Sequence, residues 1–265
     1  MEKKIIQISD LHFGEYRFSE ELKNKLKLHI EYENPDLIVI AGDITSMGYI
    51  EEYNCAKDFI TELKSVTEIY VIPGNHDACN AGLLHFRKLI GGRKFVDIDK
   101  TDDIIIIGLD SSEPDIHDGK IGFDQLEWLN DELNKIPQDM FTIVTFHHHL
   151  LPIPQTGRER NILLDAGDTL KLLTGHGVNL VLNGHKHVSN AWKVEDMVIL
   201  NSGTATTRRL YGNNYPSYNK LVINDKELLA YRIKTENGHE RLLAQYSLDK
   251  MINNNAGTPT TYLHY

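Results

Sequence analysis

Ile69-Tyr70-Val71-Ile72-Pro73-Gly74-Asn75-His76-Asp77 is the stretch on which the fold turns. A short apolar run closed by proline and glycine reads as a buried strand that stops abruptly. A helical pattern follows, so Asn75, His76 and Asp77 fall where a strand ends and its side chains meet a cleft. Asparagine offers a neutral oxygen there, and histidine a nitrogen that serves as base, acid or metal ligand. Alone, Gly74 to Asp77 fits a structural turn equally well. Four other stretches also follow apolar runs: Asp10-Leu11-His12, Gly42-Asp43, His147-His148-His149 and Gly184-His185-Lys186-His187. Five of the thirteen histidines lie in the last two.

Working outward, Lys4 to Ile8 reads as a strand. If the extended chain continues, period-two alternation puts Asp10 and His12 on one side. An Asx turn beside a surface histidine is the other reading of that pair. Ser19 to Glu33 reads as a helix with Leu22, Leu26 and Ile30 along one stripe, stopped by Asn34-Pro35. Asp36 to Ala41 is a second strand, and Gly42 permits a sharp turn that aims Asp43 at a cleft; a helix-capping aspartate is the alternative. An amphipathic helix through Tyr53, Phe59 and Leu63 leads to the third strand. This β-α-β-α-β order implies parallel strands with right-handed crossovers.

Leu83 to Ile90 reads as a helix, and Phe95 to Ile98 and Ile104 to Leu109 as strands joined at Asp102-Asp103. Asp110 reads as a loop cap and Cys79 as a small buried hydrophobe. Phe123 to Leu133 is helical. Phe141 to Phe146 is a strand whose alternation puts His147 and His149 on one side and His148 on the other. The loop Leu150 to Arg160 carries Arg158-Glu159-Arg160, either a solvated run or a cationic lid. Leu163 to Leu173 is helical and Val178 to Leu182 a strand. Then the pattern turns all-β: Trp192 to Leu200, Asn219 to Ile223, Leu228 to Lys234 and Leu242 to Ser247. Without repeats or a dividing linker, residues 1–250 read as one domain and 251–265 as a polar tail.

A chain of 265 residues buries a full core. Its net charge of −10 argues against a general grip on nucleic acid through phosphate neutralisation. Cys55 and Cys79 are no disulfide framework, and the N-terminus lacks the apolar segment of a signal peptide, so a cytoplasmic location is expected. No apolar run has the length of a membrane span. A homo-oligomer is compatible with the sequence.

The strand-end residues are Asp, Asn and His with no cysteine, a set that suits first-row metals such as Fe, Mn, Zn or Co. They are too many for one ion. Two divalent or trivalent ions sharing a bridging carboxylate is the economical reading. Two metals roughly 3.5–4 Å apart clamp the attacking and leaving oxygens of a displacement at phosphorus.

The order Asp-x-His, Gly-Asp, Gly-Asn-His-Asp, His-His, Gly-His-x-His resembles the calcineurin-like metallophosphoesterase superfamily. The five blocks span residues 10 to 187, about two thirds of the chain. The resemblance implies a four-layer αββα sandwich with two mixed β-sheets, with the strands after Asn201 in the second sheet. It implies that Asp10, His12, Asp43 and His187 hold one metal. Asp43 bridges, and Asn75, His147 and His185 complete the other. His76 then stabilises the phosphate or protonates the leaving group while hydroxide held by the metals attacks, and Asp77 orients His76. Departures narrow the subfamily. Purple acid phosphatases carry a tyrosine ligand where this chain has Ser46. Serine/threonine phosphatases carry Asp-Arg-Gly after the bridging Asp and use Asn-His-Glu, where this chain has Ile44-Thr45-Ser46-Met47-Gly48 and Asn-His-Asp. Class III cyclic-nucleotide and glycerophosphodiester phosphodiesterases are the most similar, which implies a small phosphodiester substrate. His149-Leu150-Leu151-Pro152 departs from their usual prolines.

The same metal core would serve a phosphomonoesterase, or a nuclease if Arg158, Arg160, Arg208 and Arg209 lined a groove. A non-catalytic scaffold on this fold would have lost ligands, and none is missing.

Overall fold

Alternation along the apolar strands builds the layers. The computed structural model describes residues 2–99, 104–137, 139–156, 162–210, 212 and 214–248. The Asp102-Asp103 turn, the Arg158-Glu159-Arg160 run and the tail 251–265 lie outside the described residues. The chain opens with β1 (Glu2–Ile8), α1 (Glu20–Glu33), β2 (Leu37–Ala41), α2 (Ile50–Leu63) and β3 (Glu68–Ile72). β1, β2 and β3 pair in parallel, as the β-α-β-α-β order predicts. α1 starts on Ser19, whose hydroxyl accepts from Leu22 N–H, and stops where Asn34 turns left-handed before Pro35.

After α3 (Gly82–Leu89) come β4 (Phe95–Ile98), β5 (Ile104–Gly108), α4 (Phe123–Leu133), β6 (Phe141–Thr145), α5 (Ala166–Gly175) and β7 (Leu180–Asn183). Two short strands, β8 (Asn190–Val194) and β9 (Met197–Asn201), precede β10 (Ser217–Asn224), β11 (Glu227–Lys234) and β12 (Glu240–Ser247). One sheet runs β12-β11-β10-β1-β2-β3, the other β4-β5-β6-β7-β9-β8, and both are mixed.

Ile5, Leu37 and Val39 of the first sheet share a buried cluster with Ile104, Ile106, Ile143 and Leu182 of the second, so the sheets pack face to face. The alternate residues Ile6, Ile8, Ile38 and Ile40 turn away, onto Leu26, Ile30, Tyr53 and Phe59 of α1 and α2. On the other side Ile105, Ile107, Val144 and Val181 meet Leu129, Leu133, Leu172 and Leu173 of α4 and α5. The order is helix, sheet, sheet, helix: the αββα sandwich.

Three readings need correction. The run from Trp192 to Leu200 is a hairpin, because Glu195 adopts φ 54 and reverses the chain between β8 and β9. α5 starts at Ala166 rather than Leu163, because the Asp165 carboxylate is committed to the N–H groups of Ile121 and Gly122. Of the described strands after Asn201, none joins the second sheet. β10 takes the free edge of β1 antiparallel, and β11 and β12 extend that sheet outward.

Gln7 is one of the polar residues that interrupt the apolar seam between the sheets; buried Lys3, paired with Asp99 at 2.7 Å, is another. Buried Gln7 of β1 donates through Nε2 to the carbonyls of Asn183 and Leu200, at 2.9 and 3.1 Å, and its Oε1 accepts from Asn219 Nδ2 at 2.9 Å. Those bonds tie β1 and β10 to β7 and β9 just behind Asp10. Gln7→Leu leaves the Asn219 amide without that acceptor in a dry setting, a cost of about 2 kcal/mol. Thermal unfolding should show a midpoint roughly 5 °C lower; an unchanged midpoint would mean the seam tolerates a fully apolar Gln7 position.

Candidate metal centre

The strand ends of both sheets converge on one buried cluster. Past β1 and β2 the two backbones run side by side: Asp10 N–H donates to Gly42 O at 3.0 Å, His12 N–H to Asp43 O at 3.0 Å, and Phe13 N–H to Ile44 O at 2.9 Å. Thr204 and Thr206 hydroxyls hold the carbonyls of Asp10 and Leu11 from the β9 side. Asp10 and His12 do come together, but not by extended alternation. Both have left-handed backbone, φ 55 and 51, and Leu11 between them turns into the core. Asp43, His185 and His187 share that conformation, at φ 52, 76 and 54. For a residue with a Cβ this costs on the order of 1–2 kcal/mol. Such strain persists only where the surroundings impose it.

Two glycines make the close approach possible. A Cβ on Gly74 would fall on the Asp43 carboxylate and backbone, and one on Gly184 on the Ser9 hydroxyl and beside the Asp10 carboxylate.

The seven metal-ligand candidates form one chain of contacts. His12 Nε2 lies 3.0 Å from His187 Nε2, and Asp10 Oδ1 is 3.3 Å from His187 Nε2 and 3.7 Å from His12 Nε2. Asp43 Oδ2 is 3.8 Å from His12 Nε2 and 3.2 Å from His147 Nε2. His147 Nε2 is 3.3 Å from His185 Nδ1, which in turn lies 3.0 Å from Asn75 Oδ1. Three groups offer ligand atoms all within 4.8 Å of one another: Asp10, His12 and His187; Asp43, His147 and His185; and His12, Asp43 and His76.

Carbonyls outside this cluster orient the rings. His147 Nδ1–H donates to Ala41 O at 2.7 Å and His187 Nδ1–H to Arg209 O at 2.6 Å, so each presents Nε2 to a carboxylate. His76 donates through its backbone N–H to Asp43 Oδ1 at 2.8 Å, and its Nδ1–H goes to Ser46 O at 2.6 Å. The His76 ring is therefore held by Ser46 rather than by the Asp77 carboxylate. Asp77 takes four bonds elsewhere: Ile44 N–H (3.1 Å), Thr45 N–H (2.8 Å), Thr45 Oγ1 (2.7 Å) and Gly74 N–H (2.9 Å). It fastens the turn after β2 to the turn after β3.

Burial and charge set the protonation states. Burial pushes the Asp43 carboxyl up, but the imidazoles of His147, His76 and His12 outweigh it and hold the group well below the usual range. Burial opposes ionisation of Asp10 too, and His187 beside it prevails. His147 is pushed up to about 9, because the Asp43 charge overcomes its desolvation. Desolvation lowers His12 to about 3 and takes His185 well below its ordinary value, helped by the charges of His148 and His147. Asp77 is raised to about 6 by burial and by Asp43.

This donor set fits divalent cations. Two carboxylates held below their usual range sit beside imidazole nitrogens, no thiol takes part, and buried Asp10 Oδ1 accepts no hydrogen bond.

The histidine triplet departs from strand alternation. β6 ends at Thr145, and all three rings gather on His185, with centroids 5.1, 4.6 and 5.5 Å away for His147, His148 and His149. The His148 ring nitrogens lie 2.8 Å from Ser111 Oγ and 3.1 Å from His117 O, so it buttresses the cluster rather than facing Asp43. The sequence reading missed His117, whose Nδ1 lies 3.2 Å from Asn75 Nδ2. It sits in a polar loop with no apolar run before it; its only signal is a histidine between Asp115 and Asp118. Asp110 caps its own loop, accepting from Ser112 N–H at 2.9 Å and from Arg93 Nη1 at 2.7 Å.

Residues 3–189 match the family described as calcineurin-like phosphoesterase. The chain is 30% identical over 200 residues to a "Probable cyclic nucleotide phosphodiesterase" of Rhodococcus erythropolis, covering 70% of this chain and 65% of that protein. It therefore spans just under two thirds of the length of that relative. It is 32% identical over 209 residues to a "Probable glycerophosphodiester phosphodiesterase GpdQ" of Arcobacter nitrofigilis, covering 65% of this chain and 70% of the relative. The fold matches the purple acid phosphatase PPD1 from yellow lupin (Lupinus luteus) seeds with a TM-score of 0.75 and 14% identity, over 100% of this chain and 57% of that one. At that identity the likeness is one of fold.

Asp77→Asn puts an amide donor where backbone N–H groups already point. It should lower unfolding stability by about 2–3 kcal/mol in a urea titration, whereas a wild-type midpoint in the variant would show that the two turns hold without this carboxylate.

Proposed function

Because the chain belongs to the calcineurin-like phosphoesterase family, we propose that it is a metal-dependent phosphodiesterase acting on small phosphodiesters, cyclic nucleotides among them. One observation carries the reading. Asp43 Oδ2 serves both ligand groups, 3.8 Å from His12 Nε2 on one side and 3.2 Å from His147 Nε2 on the other. In this proposal Asp10, His12, Asp43 and His187 would hold one metal, and Asn75, His147 and His185 together with Asp43 a second. Bound there, such ions would supply Lewis acidity toward water and the phosphoryl oxygens.

The remaining work falls to the chain. The Ala41 and Arg209 carbonyls fix the tautomers of His147 and His187, so neither ring turns when substrate enters. His76, anchored at Nδ1 by Ser46, keeps Nε2 for a proton passed to the leaving oxygen. Its ring stands edge-on to His12, 4.8 Å between centroids, which places it beside the ligands. Asp77 contributes by locking the turn that carries His76. The names of the Rhodococcus and Arcobacter relatives support a diester over a monoester substrate. The net charge of −10 weighs against a nucleic-acid strand.

The test is turnover of bis(p-nitrophenyl) phosphate, 3′,5′-cyclic AMP and single-stranded DNA alongside metal content. Wild type should carry about two ions per chain, lose diesterase activity to a chelator and regain it with Mn²⁺ or Zn²⁺. Asp43→Asn should lose at least about 10³-fold in kcat/KM. Full activity in that variant or in metal-free protein would sink the reading, and preferred cleavage of DNA would replace it with a nuclease.

A further inference from the structure

The loop from Asp110 to Gly122 has two faces. One belongs to the metal centre, through Ser111 Oγ beside His148 and His117 Nδ1 beside Asn75. The other, with the end of α3 and the start of α4, encloses a separate cavity of about 550 Å³. Such a volume suits a small-molecule ligand.

The cavity is cationic. Arg87, Arg93, Lys94 and Lys120 line it against only Asp110 and Glu113. Asp110 is already committed to Arg93 and to Ser112. That leaves Arg87, Lys94 and Lys120 facing Glu113, a surplus of two positive charges in a chain of net charge −10. Among the described residues neither Arg87 nor Lys120 forms an ion pair. Lys94 Nζ stands 4.4 Å from the Trp128 ring centroid, a contact that leaves its charge uncompensated. Gly122 and Gln125 at the start of α4 complete the lining, where the Asp165 carboxylate already holds the N–H groups of Ile121 and Gly122. Like charges gathered round one concavity raise the energy of the free protein, and an entering anion relieves it.

We propose that this cavity binds a small phosphorylated ligand of at least two negative charges, at a site distinct from the metal centre and backing onto it through the Asp110–Gly122 loop. An arginine fork and two mobile lysines are the natural partners of phosphate oxygens. Binding here does not depend on the proposed hydrolysis, so the two stand or fall separately.

Trp128, in contact with Lys94, is a built-in reporter. In a Trp192→Phe background of the full chain, titration with inorganic pyrophosphate should give a saturable change in tryptophan fluorescence, the same before and after chelator treatment. Arg87→Glu/Lys120→Glu should weaken it by at least about tenfold. Both side chains are exposed, so charge reversal leaves the core alone. Should the double variant nevertheless melt early, Arg87→Gln and Lys120→Gln singly should each show a smaller weakening. Equal affinity in wild type and variants overturns the proposal. So does a signal that vanishes with the chelator, since it would then belong to the metal centre, and so does the absence of saturable binding.

Discussion

Two carboxylates lie where water does not reach: Asp10 is fully buried and Asp43 1% exposed. A charge in that position has to be answered at close range or given up. The protein answers with imidazoles. His187 stands against Asp10 and His147 against Asp43, and in each pair the neighbouring carboxylate raises the imidazole's pull on a proton in spite of its burial. His12 and His185 sit between them, where burial favours the uncharged ring. The result is a set of oxygen and nitrogen donors gathered in one place before any cation arrives.

Holding that set together takes most of the surrounding polar structure. Strand ends belonging to two sheets have to meet, and elsewhere the sheets pack mainly through apolar side chains. Gln7 and the threonines at 204 and 206 fasten them from behind. Asp77 fastens the turns after β2 and β3 from the side. Gly74 and Gly184 remove the Cβ atoms that would hold the backbones apart. The apolar layers fix the distance between the sheets, and these polar links fix the angle at which the ligands arrive.

Much of this was legible in the amino-acid sequence because the strands announce themselves. Ile104 to Ile107 and Leu37 to Ala41 are continuous apolar runs, as strands buried on both faces should be, and the chemistry-bearing residues follow them directly. What failed was local. Alternation was extended past the strand ends, to His12 and through His147-His148-His149, where the backbone had already left the extended region. Nothing in Trp192 to Leu200 marks a tight reversal, since Glu195-Asp196 carries neither glycine nor proline. The three C-terminal strands went to the wrong sheet, because the free edge of β1 that captures β10 is a property of the assembled sheet and not of any segment. His117 was missed for a similar reason: its importance lies in a contact with Asn75, forty-two positions away.

The left-handed backbone at Asp10, His12, Asp43, His185 and His187 also limits which amino acids can occupy these positions. Apart from glycine, aspartate, asparagine and histidine are the residues that tolerate that conformation best. They are also hard or borderline ligands. A β-branched residue is barred by its backbone clash. A cysteine or glutamate would arrive without the local hydrogen bonding that makes the conformation tolerable to aspartate and asparagine. The path of the main chain thus restricts drift in the ligand set before any metal is chosen. Substitutions that keep the fold intact keep the site within oxygen and nitrogen chemistry, and conversion to a thiolate site would require rebuilding the loops themselves.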